Sequence, residues 1–198
     1  MPTVNAVIAS YKENLSWVDD CPDNWSVFVY AKGNPSSLPS RKVFVTELEN
    51  VGREAHAFAY HNSRVAAADY TVFLQGDPFD HDPHAIETAT RCMNRLDWVG
   101  WMGCRFDTRQ NGPPYTPNCL SLWGVYGTLF EGGHPDRLVF PAGAQLVVRK
   151  NAVAFRSQQF WSRLERMLAT PDARMPHAME RLWPVVYDEY TQERQAWR

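Results

Sequence analysis

The segment FLQGDPFDHD, Phe73 to Asp82, joins an apolar run to a cluster of hard oxygen donors. Tyr70, Thr71, Val72, Phe73 and Leu74 read as a buried strand, and Gln75, Gly76, Asp77, Asp80, His81 and Asp82 lie beyond its end. This run of hard oxygen donors, with little cationic compensation, suits a divalent ion, magnesium or manganese, that keeps several waters and bridges a diphosphate. Such an ion neutralises the charge that develops on a departing nucleoside diphosphate. The same residues also suit a plain turn, because aspartate before proline, at Asp77–Pro78 and Asp82–Pro83, initiates and caps turns. Both readings are open on these residues.

Two further places carry polar groups just after an apolar run. At Ala9, Ser10, Tyr11, Lys12 and Glu13 a hydroxyl, an aromatic face and a carboxylate could hold a nucleobase and ribose. Ser10 followed three residues later by Glu13 is also a capping-box pattern that needs no ligand. In NVGREAH, Asn50 to His56, Gly52 permits close backbone approach, and a helix beginning near Arg53 would aim free N–H groups and a positive dipole end at an anion. Arg53 could clamp a phosphate, and Glu54 or His56 could touch a sugar or orient a neighbour. A helix start with solvated charges is the plainer account of the same residues.

These groups need elements to position them. Apolar, β-branched and aromatic runs at Val4 to Ser10, Trp25 to Lys32, Lys42 to Leu48, Tyr70 to Gly76, Trp98 to Cys104 and Ala142 to Lys150 read as strands covered on both faces. Helical spacing lies between and after them. Arg53 to Ala68 carries an apolar stripe through Ala55, Phe58, Ala59, Asn62, Val65 and Ala66; Pro83 to Leu96 begins with proline at a first-turn position. Gln158 to Ala169 places Phe160, Trp161, Leu164, Met167 and Leu168 on one side. Alternating strands and helices predict a single α/β domain, three layers deep, with a mainly parallel sheet. In such sheets ligands bind at the carboxyl ends of the strands, where all three polar segments fall. The stretch Arg105 to Pro141 is too long for an ordinary connection and is dense in glycine, proline and aromatics, which predicts a shaped functional loop with room for one short helix or hairpin.

Composition narrows the partners. With 198 residues, 44% hydrophobic and 21% charged, the chain has the make-up of one globular core. A net charge of −2 leaves no basic footprint for a nucleic-acid backbone, so nucleic acid is not indicated. Cys21, Cys92, Cys104 and Cys119 lack metal-ligand spacing and read as reduced, buried thiols. The first residues lack the basic start and long apolar stretch of a signal peptide, and no run is long enough to span a bilayer, so the expectation is a cytoplasmic protein without membrane contact.

NVGREAH, then ADYTVFLQGDPFDH, PAGAQLVVRK and finally ERLWP resemble a family of proteins of unknown function whose fold is akin to that of A-type (GT-A-like) nucleotide-diphospho-sugar glycosyltransferases. The resemblance runs from Ala9 to Pro184. It implies a nucleotide-sugar donor, of UDP or GDP type, lying across the carboxyl edge of the sheet. In such enzymes the second aspartate of an Asp-x-Asp motif commonly holds the metal; here the three positions are Gln75, Gly76 and Asp77, so the first aspartate is an amide. That leaves ribose contact to Gln75 and the metal to Asp77, alone or with Asp80. The resemblance further implies a strand supporting the donor sugar, matched by Gly143, Ala144 and Gln145, and a late acid serving as general base, matched by Glu180.

The reading that follows is a metal-dependent, inverting glycosyltransferase acting on an unidentified acceptor hydroxyl. Ser10, Tyr11 and Arg53 hold the nucleotide, Asp77 anchors the ion, Gln145 orients the sugar and Glu180 activates the acceptor. Inversion is the simpler course because no covalent nucleophile is evident. Glu131, His134 and Asp136 are rival acids or ligands, as is His177. Two alternatives stand beside it: a metal-dependent nucleotidyltransferase, and a non-catalytic carbohydrate- or nucleotide-binding protein in which Trp123, Tyr126 and Phe130 stack on sugars or fill the core.

Overall fold

The computed structural model describes residues 1–95, 99–102, 105–107, 122–131, 133–135, 138–172 and 174–187. Its strands and helices run β1 (Val4–Ser10), β2 (Trp25–Ala31), β3 (Phe44–Glu47), α1 (Arg53–Arg64), β4 (Tyr70–Gln75), α2 (Ala85–Arg95), β5 (Val99–Trp101), β6 (Arg105–Asp107), α3 (Leu122–Leu129), β7 (Val139–Pro141), β8 (Leu146–Arg149), α4 (Lys150–Ala154), α5 (Gln158–Leu168) and α6 (Arg174–Tyr187). Among the described residues no helix is long and apolar enough to cross a membrane.

The main sheet has six strands in the order β3-β2-β1-β4-β8-β5. The chain steps outward from β1 to β2 to β3, then returns through α1 to add β4 on the other flank of β1. Both β2 and β4 pair with β1 in parallel, Val4 lying opposite Trp25 on one side and Tyr70 on the other. Neighbouring strands therefore leave β1 in opposite directions, and a crevice opens where their connections part.

Alternation along the central strands divides the core between the two faces of the sheet. Val7, Ala9, Phe73, Leu146 and Val148 join α1, α5 and α6 in one apolar cluster; Ala6, Ile8, Val72, Leu74 and Val147 join Ala85 and Ala89 of α2 in the other. Phe58 packs on Phe73 and Trp183 on Tyr187, so the first cluster is rich in aromatics, each of which buries a large apolar area.

Several expectations are corrected. The sheet is mixed: β8 runs antiparallel to both β4 and β5. An apolar strand buried on both faces carries no mark of its direction, so its sequence reads as parallel. The helix predicted to Ala68 stops at Arg64, where Val65 turns extended. Three alanines favour more helix, but β4 must begin at Tyr70 opposite Val4, and Asn5 holds the Ala66 carbonyl at 3.4 Å. The helix predicted from Pro83 begins at Ala85, because the Asp82 carboxylate accepts from the His84 N–H and makes a turn first. Ala142 to Gln145 is not strand: Ala142–Ala144 is a 3-10 turn with left-handed φ of 74° at Gly143 and 54° at Ala144, and extension resumes at Leu146. The long stretch from Arg105 is closed at its ends, since β6 pairs antiparallel with β7, and it contains α3; residues 108–121 lie outside the described residues. Cys21 is a buried thiol, its pKa pushed up to about 11 by burial, whereas Cys92 is only half-buried. Cys104 and Cys119 lie outside the described residues.

Two buried imidazoles make the fold acid-sensitive. Burial lowers the pKa of His56 to about 4 and of His61 to about 3; His61 is bonded to the Tyr30 hydroxyl at 2.9 Å. With folded pKa values below the unfolded 6.5, the unfolded chain binds more protons in the window between them. Stability is thus complete above about pH 6.5 and falls as pH drops through 4 toward 3. Urea unfolding from pH 7 to 4 should show stability falling steadily, with a shallower slope in His61→Phe. A profile flat over that range would contradict the assignment.

Candidate functional site

A cleft of about 430 Å³ opens at the point where the connections from β1 and β4 part. That volume falls within the roughly 300–1,000 Å³ of small-ligand sites. It is lined by Ala9, Ser10, Tyr11 and Glu13 after β1, Lys32 after β2, Asn50, Arg53 and Glu54 at the start of α1, and Gln75, Gly76, Asp77 and Asp80 after β4. The three sequence segments far apart in the chain meet here.

On the β1 side, no helix follows Ser10, so the capping-box reading fails. Instead Glu13 closes a turn: one carboxylate oxygen accepts from the Ser10 hydroxyl at 3.0 Å and from the Tyr11 N–H at 2.6 Å. Burial alone would raise the Glu13 pKa, but these hydrogen bonds outweigh it and hold the carboxyl below its ordinary value. The Trp17 indole donates to the Gly76 carbonyl at 2.9 Å, bringing Gly76 so near that a Cβ there would lie 2.5 Å from the Glu13 carboxylate. Tyr11 keeps an exposed ring edged by Gly33.

On the α1 side, Gly52 has a left-handed φ of 61° and caps α1 with no side-chain acceptor. Its close approach is to protein: a Cβ would lie 2.2 Å from the Leu168 carbonyl oxygen, and its N–H donates to the Thr170 carbonyl at 3.0 Å. Arg53, also at positive φ, is largely exposed and sits 3.6 Å from the Glu54 carboxylate. Glu54 is mostly buried, with its side chain 13% exposed. Burial raises its pKa, and the Glu180 carboxylate adds to that, against the opposing pull of Arg53 and His177.

Lys32 is 7% exposed. Its ammonium donates to the Val51 carbonyl and to His56 Nδ1, the latter at 3.2 Å. Burial lowers its pKa to about 8 in spite of nearby Glu54.

On the β4 side, Asp77 and Asp80 are exposed, and one oxygen of Asp77 accepts from the Phe79 N–H at 3.1 Å. The turn reading of Asp77–Pro78 is therefore realised, and the second carboxylate oxygen takes no part in that bond. Among the described residues no group of three His, Cys, Asp or Glu side chains could hold a metal. Asp77 and Asp80 are thus two exposed carboxylates on one loop, too few by themselves to cage an ion.

No protein-family profile, no curated protein and no solved structure matches the chain. The cleft brings together two cations (Lys32, Arg53), four carboxyl groups (Glu13, Glu54, Asp77, Asp80) and the exposed ring of Tyr11.

The remaining sequence candidates stand behind the cleft. The Gln75 amide donates to the Gly143 carbonyl at 2.8 Å, and the Gly143 N–H donates to Glu180 at 2.7 Å. Glu180 also lies 3.2 Å from Arg181. Gln145 is fully buried and donates to the Pro78 carbonyl at 3.0 Å, leaving its amide oxygen without a partner among the described residues. Gly143, Ala144, Gln145 and Glu180 thus form a pinned turn that backs the loop carrying Asp77, and none of them lines the cleft. Of the rivals, His134 stacks on Trp123 at 4.1 Å, Glu131 is exposed on the segment after α3, His177 is half-buried, and Asp136 lies outside the described residues. Tyr126 is buried in the core, Phe130 packs against it, and Trp123 is half-buried. Sequence reasoning missed Lys32 and left Asn50 without a role. The signal for Lys32 was present: a lysine directly ending an apolar parallel strand stands at the ligand edge of the sheet.

The glycines at the cleft separate by what opposes a side chain. Gly52→Ala would meet a backbone carbonyl in a left-handed conformation and should cost roughly 2–4 kcal/mol. Gly76→Ala would displace a side-chain carboxylate instead, at about 1 kcal/mol for the weakened bonds. Thermal melts of both variants check the order; equal losses would argue against the packing described.

Proposed function

We propose that the chain is a GT-A-like glycosyltransferase that moves a sugar from a nucleoside-diphospho-sugar to an acceptor hydroxyl with inversion. The observation that carries the reading is the cleft itself: Lys32 and Arg53 line it together with Asp77 and Asp80 at the carboxyl edge of a mixed α/β sheet, a set of groups suited to a metal-bridged diphosphate. Helices on both faces of that sheet agree with the architecture the sequence resemblance implies. Tyr11 offers a face for the nucleobase, and Arg53 with the amino end of α1 meets phosphate oxygens. A magnesium or manganese ion between Asp77, Asp80 and the diphosphate would supply neutralisation of the leaving group.

The proton acceptor is assigned to Glu54 in place of Glu180. Glu54 lines the cleft, whereas Glu180 holds the Gly143 turn. Glu54 takes the proton of the acceptor hydroxyl as its oxygen bonds to the anomeric carbon; the bond from that carbon to the diphosphate breaks, and its electron pair leaves with the diphosphate. Burial makes the carboxylate costly and hence more basic than a solvated glutamate. Glu180, adjacent in charge, is a positioning residue: it keeps the Gly143 turn in place and adds to that basicity.

Incubation with a panel of UDP- and GDP-sugars plus manganese should release nucleoside diphosphate, with thermal stabilisation by the donor. Glu54→Gln should cut release by about 10²–10⁴-fold while donor stabilisation persists. The acidic limb of the wild-type pH profile should lie above the ordinary glutamate range, since activity requires the ionised carboxylate. Asp77→Asn should remove the metal-dependent part of donor stabilisation with the fold intact. Stabilisation without release by any donor would instead support a binding protein, and stabilisation by triphosphates alone would support nucleotidyl transfer. No response to any nucleotide would end the reading.

A further inference from the structure

Lys32 is held in an arrangement that the core does not require. It follows β2, its backbone N–H donates to the Ser10 carbonyl at 2.8 Å, and its side chain is nine-tenths buried at the cleft wall. An apolar side chain of that length would fill the space without desolvating a charge. An ammonium has three N–H bonds. Two are directed to the Val51 carbonyl and to His56 Nδ1; the third has no partner among the described residues. His56 is neutral at ordinary pH, so its ring accepts without repelling the ammonium.

We infer that Lys32 is the specificity-determining cation of the cleft and that its third N–H bonds a phosphate oxygen of the ligand. The inference rests on the reading of the cleft as a nucleoside diphosphate site and deepens it. Val51 and His56 fix the ammonium in one place, so the ligand meets a preorganised donor, which limits the ordering cost on binding.

A consequence is coupling to protons. His56 is bonded to Lys32 and Glu54 acts on its charge from α1, while Arg53, Glu13, Asp77 and Asp80 line the same cleft. Burial leaves the unliganded ammonium with a pKa of about 8. A bound anion raises that value, so above pH 8 the complex holds more protons than the free protein, and binding takes up a proton and weakens as pH rises.

The test is calorimetric titration of UDP, GDP and inorganic pyrophosphate with magnesium, at pH 7, 8 and 9, in two buffers of different ionisation enthalpy. The wild type should take up a growing fraction of about one proton per ligand from pH 7 to 9. Lys32→Met should bind at least about tenfold more weakly at pH 7 with no proton uptake, and Lys32→Arg should keep binding without uptake. Circular dichroism checks that the variants fold, and the wild-type proton count stands even where a variant does not. Diphosphate binding by the wild type with no proton uptake, or unchanged in Lys32→Met, overturns the role of Lys32 and leaves the cleft reading in place. No diphosphate binding by the wild type overturns both.

Discussion

The parallel pairing of β1 with both β2 and β4 is the constraint from which the rest follows. Three apolar strands side by side end at one edge, and the polar residues that come next have nowhere else to be. Because β2 and β4 flank β1 on opposite sides, their following loops diverge, and the gap between them becomes the cleft. The helix that carries the chain across, α1, begins at that same edge, so its first residues and the aspartate loop after β4 line one cleft.

Burial then determines what the charges in the cleft can do. Glu13, Glu54 and Lys32 are all partly or mostly removed from water, yet they respond differently. Glu13 accepts hydrogen bonds from Ser10 and Tyr11 and is held ionised. Glu54 is removed from water, with the Glu180 carboxylate adding to the effect, and resists ionisation. Lys32 donates to a carbonyl and a neutral histidine, and burial lowers its affinity for the proton. One cleft thus holds a carboxylate kept ionised by hydrogen bonds, a carboxyl that burial makes reluctant to ionise and an ammonium that burial makes reluctant to stay protonated.

Behind the cleft, the turn at Gly143 and Ala144 supports the loop that carries the aspartates. Gln75 reaches it from β4, Glu180 from α6, and Gln145 links its far end to Pro78. Two consecutive left-handed residues can persist only where such contacts over-determine them. The residues assigned to the donor sugar and to the base by sequence resemblance are here the groups that hold the cleft's wall.

Much of this was legible in the chain itself. Strand runs such as Val4 to Ser10 and Tyr70 to Leu74 declare themselves by unbroken apolar content, and helix α5 by its spacing, because local periodicity reflects which faces are buried. The three polar segments that line the cleft could be found for the same reason: they directly follow those runs. The direction of β8, the early end of α1, and the turn in place of strand at Gly143 could not be read, since each is decided by partners distant in sequence. Sequence alone determined that apolar strands end at Ser10 and Gln75 with polar groups directly after them, as hydrophobic burial acts residue by residue along the chain. Only the tertiary structure decided that Glu54 faces the cleft while Glu180 stands behind it and that Lys32 is buried beside His56, because burial and charge proximity are properties of neighbours that the fold alone brings together.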